Sequence, residues 1–109
     1  MNVLAIGIHP DDIELGCGGT VIVAANGGHN VVMVDLSDGA SSTNGTPDER
    51  EREAARAAEI MGVATRQNLL LPDTAIQSED PGQVKRLVSA IRSARPSVVL
   101  APSSDDPHP

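Results

Sequence analysis

The sequence predicts an α/β protein of the Rossmann-like, doubly wound type: a mainly parallel sheet with helices on both faces. Three observations predict it. Short apolar runs alternate with helix-period segments in the order β-α-β-α-β-α-β, which implies right-handed crossovers. The first run is continuously apolar with β-branched residues, as strands buried on both faces are. Two of the helices start on strong capping signals.

Taken in order, Val3 to Ile8 is the first strand, stopped by His9-Pro10. The glycine-rich turn Gly16-Cys17-Gly18-Gly19 leads into Thr20 to Ala25, an all-apolar buried helix ended by Asn26-Gly27-Gly28. Asn30 to Leu36 is the second strand, and Ser37 to Gly45 a polar loop. Thr46-Pro47-Asp48-Glu49 starts a helix, with Thr46 as N-cap and Glu49 closing a capping box. Ala54, Ala57, Ala58 and Met61 follow at helical spacing up to Gly62. Asn68 to Leu71 is the third strand, closed by Pro72. Asp80-Pro81 opens the last helix, which places Val84, Leu87, Val88 and Ile91 on one stripe and stops at Pro96. Ser97 to Ala101 is the fourth strand.

The chain has 109 residues, enough for one domain and small for a complete α/β enzyme. It contains no Phe, Trp or Tyr, so its core is aliphatic. A net charge of −7 disfavours nucleic acid and anionic membrane surfaces as partners. Cys17 is the single cysteine, which leaves no internal disulfide and fits a reducing compartment. The apolar start lacks a basic flank and is broken by His9, Pro10 and two aspartates. The expectation is neither a signal peptide nor a membrane span, and a cytoplasmic location.

In open α/β sheets ligands gather at the carboxyl ends of the strands. Three polar clusters fall there: His9 to Glu14, Asp35 to Ser42, and Ser103 to His108. His9, Asp11 and Asp12 place an imidazole and two carboxylates within four residues, a donor set that suits Zn²⁺. Adjacent side chains diverge, so one aspartate serves as ligand and the other as a base beside it. The competing reading is that Asp11 or Asp12 caps the following helix. Asp35 divides evenly between a site role and ordering the loop. Cys17 reads as a small buried residue, His29 as a turn residue on the opposite edge, and Arg52 as part of a solvated face.

The stretch Ala5-Ile6-Gly7-Ile8-His9-Pro10-Asp11-Asp12-Ile13-Glu14-Leu15-Gly16-Cys17-Gly18-Gly19-Thr20 resembles the opening signature of the LmbE-like (PIG-L) N-acetylglucosaminyl deacetylases. Gly45 through Arg50 and Asn68-Leu69-Leu70-Leu71-Pro72-Asp73 resemble the bacillithiol-pathway branch. The resemblance implies a Rossmann-like domain, of which residues 1–109 form the amino-terminal portion. It implies zinc-dependent hydrolysis of the N-acetyl group of a glucosamine-containing small molecule, with other divalent metals compatible. His9 and Asp12 would bind the metal, Asp11 would be the general base, and Arg50 and Asp73 would contact substrate. Asp106-Pro107-His108-Pro109 matches the start of the family's second motif. In it His108 would stabilise the oxyanion or protonate the leaving amine, with Asp106 supporting the site from behind. The motif's final histidine, the family's third metal ligand, would fall just beyond Pro109. The family also implies homo-oligomers, trimers or hexamers. Two other readings stay open: a non-catalytic α/β module for sugar binding or assembly, and a nucleotide-binding domain. The second is weak, because Gly16, Gly18 and Gly19 do not form GxGxxG.

Overall fold

A computed structural model describes residues 1–37, 46–72, 76 and 79–102. Along the chain run β1 (Asn2–Gly7), α1 (Asp12–Asn26), β2 (Asn30–Asp35), α2 (Pro47–Met61), β3 (Thr65–Asn68), α3 (Pro81–Ala94) and β4 (Val98–Leu100). The strands form one sheet in the order β3-β2-β1-β4. Each pairing is parallel, with β1 set between β2 and β4. All four carboxyl ends therefore point to one edge, as the predicted class requires.

Alternation along the strands divides the core into two layers. Val3 and Ala5 of β1 and Val31 and Met33 of β2 face α1 and α2, where Ile13, Val21, Ala58 and Met61 cover them. Leu4 and Val34 face the other way, where Ala90, Leu87 and Ile91 of α3 pack with Leu69 and Leu71. With helices on both faces, the inner strands bury almost every side chain without a single aromatic ring.

The capping box at Thr46 forms as the sequence predicts. Thr46 Oγ1 accepts from the Glu49 N–H at 3.1 Å, and Glu49 Oε2 accepts from the Thr46 N–H at 3.4 Å. Gly62 ends α2 in the left-handed region at φ 78°, a conformation that costs glycine no Cβ clash. Thr46→Ala is expected to destabilise the protein by about 1 kcal/mol, since one helix N–H loses its acceptor. Chemical denaturation checks this, with Thr46→Ser close to wild type.

Several boundaries differ from the sequence reading. The glycine-rich stretch is not a turn before a helix but lies inside α1, which starts at Asp12 and bends at Cys17 (φ −144°, ψ 23°). Glycine weakens helices, so Gly16 to Gly19 read as a break; the bend at Cys17 absorbs that weakness within one element. Nor is α1 buried all round. Val21 is fully buried, whereas Val23 is 72% exposed, because the helix covers one face of the sheet and turns the other outward. The third strand is the polar segment Thr65–Asn68 rather than Asn68 to Leu71. Leu69 and Leu71 still donate to Asp35 and Leu36 along β2, but Leu70, at φ 56°, breaks the strand between them. On α3 the predicted stripe is rotated. Leu87 and Ile91 pack inward, Val84 and Val88 stay exposed, and Ala90 and Ala94 complete the buried face.

Candidate metal centre at the carboxyl edge of the sheet

The turn from β1 into α1 carries His9, Pro10, Asp11 and Asp12 at the predicted edge. Its shape follows from local bonds. The Asp12 N–H donates to the His9 carbonyl at 3.1 Å, and the His9 N–H donates to Asp12 Oδ2 at 2.9 Å. These reciprocal bonds bring His9 Nδ1 to 3.6 Å from Asp12 Oδ2. Gly7 lets the turn close over the strand end: a Cβ there would lie 3.0 Å from Ile13 Cγ1 and 3.3 Å from the Asp12 Cβ. Any larger residue at position 7 would press on the segment that carries the metal-type donors.

The competing capping role can be judged directly. Asp11 occupies the N-cap position of α1 but makes no side-chain capping hydrogen bond, and it is exposed. Its carboxylate is therefore not spent on the helix. Asp12 is drawn back onto the turn beside His9. The two aspartates thus differ in their surroundings, Asp12 held against the imidazole and Asp11 exposed beside it.

A nitrogen and an oxygen 3.6 Å apart fit a divalent ion, because two ligands at about 2.0 Å on a tetrahedral ion lie about 3.3 Å from each other. Among the described residues no group of three or more His, Cys, Asp or Glu side chains converges to hold one. His108, Asp106 and Asp73 lie outside the described residues, as does most of the loop after β2.

Two cavities meet the turn. Asp11 and Asp12 line one of about 640 Å³, together with Cys17, Leu100, Ala101 and Pro102 at the end of β4. Pro10 lines another of about 550 Å³ with Asp35, Arg50, Arg66 and Asn68. Arg50 is thus on the Pro10 side, and the structure does not bring it into the cavity that holds Asp11 and Asp12. A ligand reaching both would have to extend across the turn. Cys17 is half-buried, and burial followed by the nearby Glu14 charge pushes its thiol pKa up, which fits an unreactive packing role. His29 is exposed beyond α1, and Arg52 is solvated.

Sequence reasoning missed Arg66. This β3 side chain is only 6% exposed and reaches under the turn. Its Nε and Nη2 grip both Asp35 oxygens at 2.7 and 3.1 Å. Nη2 and Nη1 bind both Glu14 oxygens at 3.0 and 3.1 Å. Nη1 also donates to the Ala54 carbonyl of α2, and Nη2 to the Pro10 carbonyl of the turn. Burial alone would lower the Arg66 pKa, but the hydrogen bonds and charges of Asp35 and Glu14 outweigh it and raise the pKa, keeping the guanidinium charged. Burial pushes the Asp35 carboxyl up, against the pull of Arg66, and the charges of Glu14 and Asp12 add to the rise. Asp35 itself is 1% exposed and its carboxylate is taken up by Arg66; most of the loop that the ordering reading concerns lies outside the described residues. No local signal marked Arg66, because Asp35, Glu14 and Pro10 lie 31 to 56 residues away and are brought to it by the sheet register.

Together these features define a class, a parallel α/β protein with a histidine–carboxylate turn on its carboxyl edge. The chain belongs to the PIG-L family (GlcNAc-PI de-N-acetylase), which it matches over residues 4–109. It is 36% identical over 108 residues to the diacetylchitobiose deacetylase of Thermococcus kodakarensis, covering 93% of this chain and 40% of that protein. Among solved structures, the conserved protein TT1542 from Thermus thermophilus superposes with a TM-score of 0.93 at 43% identity. That match covers 100% of this chain and 49% of the other. GalB, the 4-carboxy-2-hydroxymuconate hydratase from Pseudomonas putida, superposes with a TM-score of 0.83 at 27% identity, covering 99% of this chain and 50% of its own. The chain spans about half the length of the curated relatives it matches. Among the described residues no helix is long and apolar enough to cross a membrane.

Proposed function

We propose that this chain forms part of a metal-dependent N-deacetylase that hydrolyses the N-acetyl group of an N-acetylglucosamine-containing small molecule, giving acetate and a free amine. The observation that carries the reading is the turn itself: His9 and Asp12 paired at 3.6 Å, with Asp11 exposed beside them and not engaged in capping. Family membership and the named activity of the Thermococcus relative support the same reaction class.

In this reading His9 and Asp12 would hold the ion, zinc being the expected metal. The chemistry such an ion would supply when bound is Lewis-acid polarisation of the amide carbonyl and of water. Asp11 accepts the proton of the attacking water, since its carboxylate is exposed in the cavity that also receives the end of β4. His108 donates to the developing oxyanion or to the leaving amine, with Asp106 orienting it. Arg50 and Asp73 bind sugar hydroxyls, Arg50 from across Pro10. The substrate is a bacillithiol-pathway-type glucosaminide. The complete protein is an oligomer, a trimer or hexamer, that acts in the cytoplasm without nucleic acid or membrane partners.

Because a hydratase shares the fold, fold alone does not select the reaction. Incubating the full-length protein with an N-acetylglucosaminide should release acetate and primary amine in equal amounts. A chelator should abolish both, and added Zn²⁺ should restore them. Acetate release that survives complete metal removal would refute the metal-dependent reading. No acetate from any N-acetylated sugar would refute the deacetylase reading.

A further inference from the structure

We propose that Arg66 is a positioning residue for the metal-binding turn: by holding the Pro10 carbonyl it fixes where His9 and Asp11 stand relative to each other. Pro10 sits between them, and its ring already fixes φ. What remains free at that residue is ψ, the rotation that swings the Pro10 carbonyl and, with it, the peptide leading to Asp11. Arg66 Nη2 donates to that carbonyl. Both dihedrals of Pro10, the residue between the ligand and the base, are then set, one by covalent structure and one by a buried guanidinium.

The anchor is rigid because every nitrogen of the guanidinium is engaged. Asp35 is bound through two nitrogens, Glu14 through two, and Ala54 through its carbonyl, so the group is tied to β2, α1 and α2 at once. Arg66 lies in register with Met33 and Asn68 with Asp35, which puts Arg66 and Asp35 on the same face of the sheet, under the turn. A lysine could neutralise Asp35, but its three donors radiate from one atom and cannot reproduce the six contacts that the planar fork spreads over three nitrogens. A purely structural ion pair would need only the acids. The reach to Pro10 is what couples it to the site.

This inference rests on the metal-dependent reading, and its test separates the two. Co²⁺ affinity by absorption titration, melting temperature, and kcat and KM are measured for the full-length protein, for Arg66→Lys and for Arg66→Met combined with Asp35→Leu. The double variant replaces the buried ion pair with apolar side chains of similar reach and leaves Glu14, which is 26% exposed, to solvent. The expected result is a loss of metal affinity on the order of 10- to 100-fold in both variants. The double variant should melt close to wild type, and kcat should fall more than KM rises. Affinity within about twofold of wild type in either folded variant would overturn the assignment. So would affinity that returns together with the melting temperature in the double variant, or failure of both variants to fold, since Arg66 would then serve stability alone. A wild-type protein that binds no metal would overturn the metal reading and this inference with it.

Discussion

Asp11→Asn is expected to lower kcat by about 10²- to 10⁴-fold while metal affinity stays within a fewfold of wild type. Asparagine keeps the shape of the side chain but cannot accept a proton as a carboxylate does. Asp11 is exposed and makes no capping bond, so the fold gives up no hydrogen bond of that kind. Stability should change by less than about 0.5 kcal/mol, as at other surface positions. Steady-state kinetics with a metal titration on the same preparation separates the two effects. A kcat unchanged by the substitution would remove Asp11 as the base. A matching loss of metal would make it a ligand instead.

Arg66→Met is expected to cost about 3–5 kcal/mol of stability, the range for removing one partner of a buried ion pair. Asp35 is 1% exposed and cannot regain water, and Glu14 stands across from it with the same charge. Two carboxylates would then share a site with no cation between them. The raised pKa of Asp35 sets the sign of the pH dependence. A carboxyl whose folded pKa lies above its unfolded value contributes stability at low pH, and that contribution is lost as pH rises through the folded value. Removing the guanidinium takes away the one influence lowering that pKa, so the variant should lose stability over a wider span of rising pH than wild type does. Urea denaturation of both proteins from acid to neutral pH checks this. A difference below about 1 kcal/mol across that range would mean the pair is not the anchor its geometry describes.

The fold was largely legible because its main signals are local. Thr46 with Glu49, Asp80 with Pro81, and the apolar runs of β1 and β2 each announce an element without reference to the rest of the chain. β3 was not legible for a physical reason. Among the described residues it is an edge strand paired with β2, its four residues are polar, and its one deeply placed side chain is an arginine satisfied from three other elements. Hydrophobic patterning looks for burial by apolar side chains and passes over a polar strand whose inward side chain is a paired cation. The same limit applied to α1, where glycines that discourage a regular helix are accommodated by a bend at Cys17.

The candidate site divides along similar lines. His9, Asp11 and Asp12 are neighbours in sequence, so their proximity was readable, and the structure added how they divide: Asp12 folded back on His9, Asp11 left exposed. Arg66 lies 56 residues from Pro10 and 31 from Asp35, and only the sheet register brings them together. Arg50 reads in sequence as a neighbour of the site, yet the turn separates its cavity from that of Asp11.

The central claim is that His9 and Asp12 are ligands of one divalent ion. Anomalous diffraction at the zinc absorption edge, on crystals of the full-length protein loaded with Zn²⁺, tests it most directly. A single strong peak is expected at the β1–α1 turn, about 2.0–2.2 Å from a His9 ring nitrogen and an Asp12 oxygen, with Asp11 near it but not bonded. A fully occupied peak elsewhere, with no ion bridging His9 and Asp12, would contradict it.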